Sequence, residues 1–234
     1  MIFEKKFNGD QRTAYSHYKT LKTRIRILPS NMPEYKMIST YLTNTHGPTH
    51  SFKLTIEEIY TTRRLGEYQR YKINKNLGNR RLLWHGTKIR NLSSILSNGL
   101  LTTPPSSAGI SGKNFGNGIY FADVVTKAAL YCGVNRNDPY GILILAEVAL
   151  GKHYYLTSAT SVTDLKYQKS SAKALGKYKP DRTKTVRTKY GAQVPLGTLE
   201  LQNNLTTSME YSEYVIYNND QVLFEYLVLV KFNY

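Results

Sequence analysis

The sequence predicts an α+β fold. Two observations carry it: runs with helical spacing fall mostly in the first 132 residues, and apolar or aromatic strand-like runs dominate from residue 141 onward. Segregated helices and strands argue against a doubly wound sheet, in which the two alternate. Asn31 ahead of Pro33 reads as a cap and first-turn proline, and Met37, Ile38, Tyr41 and Leu42 recur at helical spacing behind them. A second helix reads from Asn91 as cap, through Leu92, Ile95 and Leu96, to Gly99 as its end. A third runs from Asp123 as cap through Val124, Ala128, Tyr131 and Cys132, read as one face.

Strand signals follow. Gly141–Gly151 is a continuous apolar run between glycines, the pattern of a buried strand. Tyr211–Tyr217 and Gln221–Phe232 are rich in aromatic and β-branched residues, separated by the turn-prone Asn218-Asn219-Asp220. Residues 152–191 lack strong periodicity and read as long surface loops with one strand.

The 234 residues carry 32 Lys+Arg and 16 Asp+Glu, a formal net charge of +16. Residues 62–90 hold nine bases and one acid, and 152–191 hold ten and two, so these two blocks account for the whole excess. Basic blocks of this kind attract polyanions, which makes DNA or chromatin a candidate contact. The opening residues lack an apolar signal-peptide core, and the longest apolar stretches are too short to span a bilayer, so we expect a soluble, intracellular protein with no membrane partner. The single cysteine, Cys132, excludes an internal disulfide or a cysteine-cluster zinc site. His46 and His50 are four apart, but Gly47-Pro48 breaks the helix that would align them, and no metal is expected. There is no Walker loop, and Gly112–Gly118 leads into an aromatic strand rather than a helix, so a Rossmann reading fails.

Three residues remain as carriers of chemistry. His85 ends the apolar run Arg81–Thr87, Tyr120 sits in a short strand before the third helix, and Glu213 interrupts an aromatic, β-branched strand. Singly, each has an ordinary reading: a core-edge histidine, a packed tyrosine, and the solvent-facing residue of an edge strand. Together they resemble the His-Tyr-Glu triad of the poly(ADP-ribose) polymerase family, the diphtheria-toxin-like ADP-ribosyltransferases. The likeness extends through NTHGPTH (44–50), GEYQRYK (66–72), NRRLLWHGT (79–87), ILSNGL (95–100), FGNGIYFAD (115–123), GILILAEVALG (141–151), VPLGT (194–198) and EYVIY (213–217). These segments are similar to the DNA-damage-responsive branch.

The resemblance implies two antiparallel sheets with an NAD cleft between them, and NAD consumed as substrate. In that alignment Gly86 holds the nicotinamide carboxamide through its backbone, Tyr131 stacks on the ring and Tyr120 closes the opposite side. His85 is the donor to the adenosine ribose, with Thr87 and Asn91 positioning that half. Lys127 and Ala128 fall among the NAD-contacting positions, and Ala128 stands where the family usually has a serine that donates to the carboxamide. Glu213 matches the catalytic carboxylate, which the chemistry needs because cleaving the nicotinamide–ribose bond leaves a cationic C1′. A complete triad resembles the chain-elongating members, with protein acceptors and growing poly(ADP-ribose) as co-substrates. Single ADP-ribose transfer is the enzymatic alternative, and a basic nucleic-acid-binding module with a degenerate transferase fold is the non-enzymatic one. Leu101 departs from the family in the loop over the donor site, and Lys113, Asn114 and Asn117 depart on the acceptor side, which bears on chain length and branching. The likeness begins near Tyr18, which divides the chain into a short extension (1–17) and a catalytic domain (18–234). We expect no helical regulatory subdomain ahead of it, and with that activity without DNA breaks. The family and the charge together imply a nuclear location, with a cytoplasmic one as the alternative.

Overall fold

The computed structural model describes residues 11–102, 114–162 and 169–234. The chain runs through α1 (Gln11–Thr20), β1 (Thr23–Ile27), α2 (Pro33–Asn44), β2 (Lys53–Arg64), α3 (Glu67–Asn74), β3 (Arg80–Thr87) and α4 (Leu92–Asn98). It continues through β4 (Ile119–Phe121), α5 (Val125–Ala129), β5 (Tyr140–Ala149), β6 (His153–Leu156), β7 (Ser171–Ala174) and β8 (Gly176–Pro180). The last elements are β9 (Thr185–Arg187), β10 (Gln193–Pro195), β11 (Leu199–Leu201), β12 (Met209–Tyr211), β13 (Glu213–Ile216) and β14 (Val222–Asn233).

The α+β class holds, with the strands in three sheets. A seven-stranded sheet has the order β1-β2-β14-β5-β3-β10-β9, a four-stranded sheet the order β4-β13-β7-β6, and a three-stranded sheet the order β11-β8-β12. Pairing is mostly antiparallel, but β3/β10, β6/β7 and β8/β12 are parallel, so the sheets are mixed where pure antiparallel pairing was expected. Strand β5 lies at the centre of the large sheet and is covered on both faces, which is why its sequence is apolar without alternation. On one face Leu143 and Leu145 pack with Trp84 and with Ile38, Tyr41 and Leu42 of α2. On the other, Ile144 and Ala146 pack with Leu92 and Leu96 of α4 and with Phe121, Tyr214 and Ile216 from the four-stranded sheet. Burying each large apolar side chain of this kind contributes roughly 1.5–3 kcal/mol.

Several expectations need correction. The early chain is richer in strands than its helical runs suggest, because β2 pairs with β14 across a bulge at Glu57: Leu229 faces Glu58 and Val230 faces Ile56. The bulge breaks the two-residue alternation and hides the strand signal. The described residues of 152–191 form four strands in place of surface loops; Ser171–Ala174 are all buried, Lys173 among them. The extra charge masks the β pattern there. Helix α2 is preceded by Met32 in the cap position, one residue beyond Asn31, and has no side-chain cap.

Helix α5 begins at Val125 with Val124 as its cap, because the Asp123 carboxylate is taken by the Tyr214 hydroxyl at 2.8 Å. After Ala129 the helix tightens to a three-residue turn, Leu130–Cys132. That tightening rotates Tyr131 off the buried face, leaving it 43% exposed while Ala128 and Cys132 stay buried. Asn91 sits at the start of α4 in helical conformation without capping it, and donates instead to the Thr87 hydroxyl at 3.4 Å. Gly99 ends that helix at φ +88°, as read from the sequence.

His153 ties β6 to the large sheet. Its Nε2 accepts from Asn79 Nδ2 at 2.9 Å, so its Nδ1 carries the proton toward Ser171 Oγ at 2.8 Å. Burial, then the nearby Lys173, Arg81 and Lys169 charges, press its pKa down to about 3. The unfolded chain therefore binds this proton first, and stability falls as pH drops below about 6.5, the ordinary histidine value. We expect urea midpoints that decline with acidification in this window. In His153→Gln the decline should be shallower; an unchanged pH slope would remove His153 as its cause.

Candidate active site

An isolated backbone bridge joins two of the sheets beside the candidate site. Trp84 of β3 and Ala122, just past β4, exchange both N–H to C=O hydrogen bonds at 2.9 Å, and they join the large sheet to the four-stranded sheet at that point. His85 follows Trp84 on one side, Tyr120 lies two residues before Ala122 on the other, and His85 Nδ1 reaches the Tyr120 carbonyl oxygen at 2.8 Å. A carbonyl only accepts, so Nδ1 carries the proton. Burial holds the His85 pKa below its ordinary value despite that bond, so the ring is neutral near pH 7 and Nε2 presents a lone pair. In this tautomer the free Nε2 is an acceptor, where the resemblance implied a donor.

Tyr120 is anchored at its far end. Its hydroxyl donates to the Gly116 carbonyl at 2.7 Å and accepts from the Phe115 N–H at 3.0 Å, tying β4 to the preceding loop. Burial pushes its pKa up to about 12, so it is a neutral phenol.

Glu213 starts β13, an interior strand between β4 and β7, and is 6% exposed, so the edge-strand reading fails. Tyr120 pairs with Val215, and alternation puts Glu213 on the same face of the sheet as Val215. Lys127 of α5 closes on it, Nζ to Oε1 at 2.8 Å. Burial opposes the lysine's charge, but the Glu213 carboxylate and then Tyr131 hold its pKa above the ordinary value, so the ammonium persists. The same ammonium stands 5.8 Å over the Tyr131 ring.

Gly86 is the point of closest approach between β3 and α5. A Cβ there would lie 1.8 Å from the Ala128 carbonyl oxygen and 3.3 Å from Tyr131 Cβ. The glycine is required by the protein's own helix. Thr87, at the end of β3, is buried. His85, Gly86, Thr87, Asn91, Tyr120, Lys127, Ala128, Tyr131 and Glu213 thus fall on β3, β4, β13, α5 and the turns beside them. Leu101, Asn114 and Asn117 lie on the segments flanking residues 103–113, and Lys113 falls outside the described residues.

Sequence reasoning missed the neighbours of Lys127 and Glu213 on the side of the chain's first histidine pair. His50 Nδ1 lies 2.8 Å from Thr126 Oγ1 and its ring stacks on Tyr211 with centroids 5.1 Å apart. Burial, then His46 and Lys127, lower the His50 pKa. The motif was legible as a turn, but only the fold brings it to α5.

A family model described as the poly(ADP-ribose) polymerase catalytic domain matches residues 32–232. The chain belongs to this family. It is 44% identical over 228 residues to "Poly [ADP-ribose] polymerase 1" of Gallus gallus, a match covering 97% of this chain and 22% of that protein. It is 40% identical over 220 residues to "Poly [ADP-ribose] polymerase" of Drosophila melanogaster, covering 94% and 22%. With "Poly [ADP-ribose] polymerase 2-B" of Oryza sativa subsp. japonica the identity is 38% over 235 residues, covering 100% and 39%. The chain therefore spans well under half the length of these relatives, and its match to the poly(ADP-ribose) polymerase family is to the catalytic domain. Among the described residues no helix is long and apolar enough to cross a membrane, and no group of three or more His, Cys, Asp or Glu is placed to hold a metal ion.

Proposed function

We propose that this poly(ADP-ribose) polymerase catalytic domain cleaves NAD and transfers its ADP-ribose to protein acceptors and to growing poly(ADP-ribose) chains. The observation that carries the reading is the Lys127–Glu213 pair, a buried carboxylate fixed at 2.8 Å on the face of β13 that Tyr120 shares through Val215. Departure of nicotinamide with the bonding electrons leaves positive charge on the ribose C1′ and ring oxygen. A fixed carboxylate stabilises that charge, and an enclosed site strengthens the effect. Glu213 also accepts from the ribose 2′-hydroxyl, which orients the sugar. Lys127 restrains the carboxylate, and the acceptor's oxygen attacks C1′ to complete the exchange, a hydroxyl acceptor giving up its proton to Glu213 or to water.

The remaining positions divide the substrate between them. Gly86 receives the carboxamide through its backbone, Tyr131 offers its exposed ring for stacking, and Tyr120 bounds the opposite wall. His85 accepts from the adenosine ribose, with Thr87 and Asn91 beside it. NAD fits this chain's residues on one structural ground: the Tyr131 ring is exposed at 43% and offers a face on which an aromatic amide can stack. A nuclear setting and contact with DNA or chromatin fit the family and the charge. Part of that charge is internal, however. Arg64 is buried and pairs with Glu67 at 2.6 Å, and Arg80 pairs with Glu147.

Labelled NAD tests the reading. A smear of products indicates elongation, discrete bands single transfer, and no labelling overturns the assignment. Ala128→Ser adds a hydroxyl beside Gly86. One hydrogen bond contributes about 0.5–1.5 kcal/mol, so nicotinamide should bind roughly 2- to 13-fold tighter by calorimetry. Unchanged or weaker binding would show that the carboxamide lies elsewhere.

A further inference from the structure

Strand β13 has a second face. Alternation sends Glu213 toward the cleft and Tyr214 the opposite way, where Tyr214 pairs with Lys173 of β7. A cavity of about 440 Å³ opens there, and its walls include Arg81, Lys173, Lys179, Arg182, Arg187 and Asp123. Five cations face one carboxylate, and that carboxylate already receives the Tyr214 hydroxyl on one oxygen. Arg81 donates from Nη1 to the Tyr214 hydroxyl at 3.2 Å and from Nε to Asn79 Oδ1 at 3.2 Å.

Lys173 is the decisive residue. It is 5% exposed, and among the described residues its ammonium has no hydrogen-bond or ion-pair partner; it stands 4.6 Å over the Tyr214 ring. An ammonium on a buried side chain that meets no protein partner and opens on a cationic cavity leaves a place for an anion. Burial lowers its pKa to about 8, Asp123 opposes the fall, and Arg81, Arg182 and Lys179 add to it. An entering anion relieves that crowding.

We propose that this cavity is a second anion site, which binds a compact phosphate-bearing ligand of the pyrophosphate class on the reverse side of the strand that carries Glu213. A recessed ammonium favours a small ligand over duplex DNA, whose phosphates ride on a wide, stiff cylinder and meet only the exposed Arg182 and Arg187. Cavities of this size suit nucleotide-sized ligands, and paired phosphoryl groups meet forked guanidinium donors well. The site needs nothing from the reading of the cleft as a transferase. Two sources share this chemistry, a free nucleotide sugar and a link of a poly(ADP-ribose) chain.

The test is an amide NMR titration of the full chain with inorganic pyrophosphate. We expect shifts centred on Lys173, Arg182 and Gln193, separable from those around Gly86 and Tyr131. Arg182→Gln with Arg187→Gln changes two exposed side chains and should weaken these shifts about tenfold or more. Lys173→Met should abolish them. Shifts confined to Gly86 and Tyr131, an unchanged affinity in the double variant, or a DNA duplex that occupies the cavity more tightly than pyrophosphate would each overturn the proposal. ADP-ribose and purified poly(ADP-ribose), titrated in parallel, separate the sources: tighter binding of the polymer assigns the chain, and equal binding assigns the free nucleotide sugar.

Discussion

Glu213→Gln should lose chain elongation almost completely while NAD binding stays within a few-fold of the parent. The amide matches the carboxylate in shape and can still accept from Lys127, so the fold around β13 has little reason to move. What disappears is the negative charge facing the cationic sugar. Removing one preorganised group of this kind costs about 10²–10³ in kcat, or roughly 3–4 kcal/mol of the barrier. NAD turnover and product length should be measured together, because in the proposed mechanism attack by a sugar hydroxyl depends on Glu213 twice, for the cation and for orienting the ribose. Residual labelling should shift toward short products. A variant that still makes long polymer at the parental rate would remove Glu213 from the chemistry.

Gly86→Ala is expected to be nearly as damaging by a different route. The added methyl would sit 1.8 Å from the Ala128 carbonyl oxygen, which is backbone and cannot rotate away. Either β3 or α5 must move, and overpacking of this kind costs about 1–3 kcal/mol of stability. Helix α5 carries Lys127 and the following turn carries Tyr131, so both would move with it. A misplacement of about 1 Å near reacting groups can cost about 10²-fold in rate. The expected result is a lowered urea midpoint together with weakened nicotinamide binding, because the Tyr131 ring is displaced. A variant with parental stability and weakened binding would instead assign the glycine wholly to the ligand.

These two residues also show how much the sequence discloses. Glu213 was legible because a lone carboxylate in an aromatic strand is unusual, and the surrounding EYVIY motif placed it in a family. Its interior position needed the fold, since only the pairing of β13 with both β4 and β7 removes it from an edge. Strand β5 was readable end to end because burial on both faces leaves no alternation to misjudge. Residues 152–191 were misread for the opposite reason: Lys173, Lys177 and Lys179 give a strand region the composition of a solvated loop, and one of the three is buried. Tyr131 was identified as a ligand-facing ring, yet assigned to the apolar face with Ala128. The switch from α to a tighter turn after Ala129 carries no sequence signal that periodicity can detect.

Alternation along β13 has a consequence for how such a chain can vary. Neighbouring side chains serve two compartments, the carboxylate of Glu213 in one and the phenol of Tyr214 in the other. Adding or deleting one residue just ahead of Glu213 would shift the register and exchange the two. The cleft would receive a phenol, and the cationic cavity a carboxylate. Length changes in this stretch are therefore forbidden, where a substitution at either position would damage only one compartment. Descendants of this fold should accept insertions on its loops and hold the spacing from β12 through β13 constant.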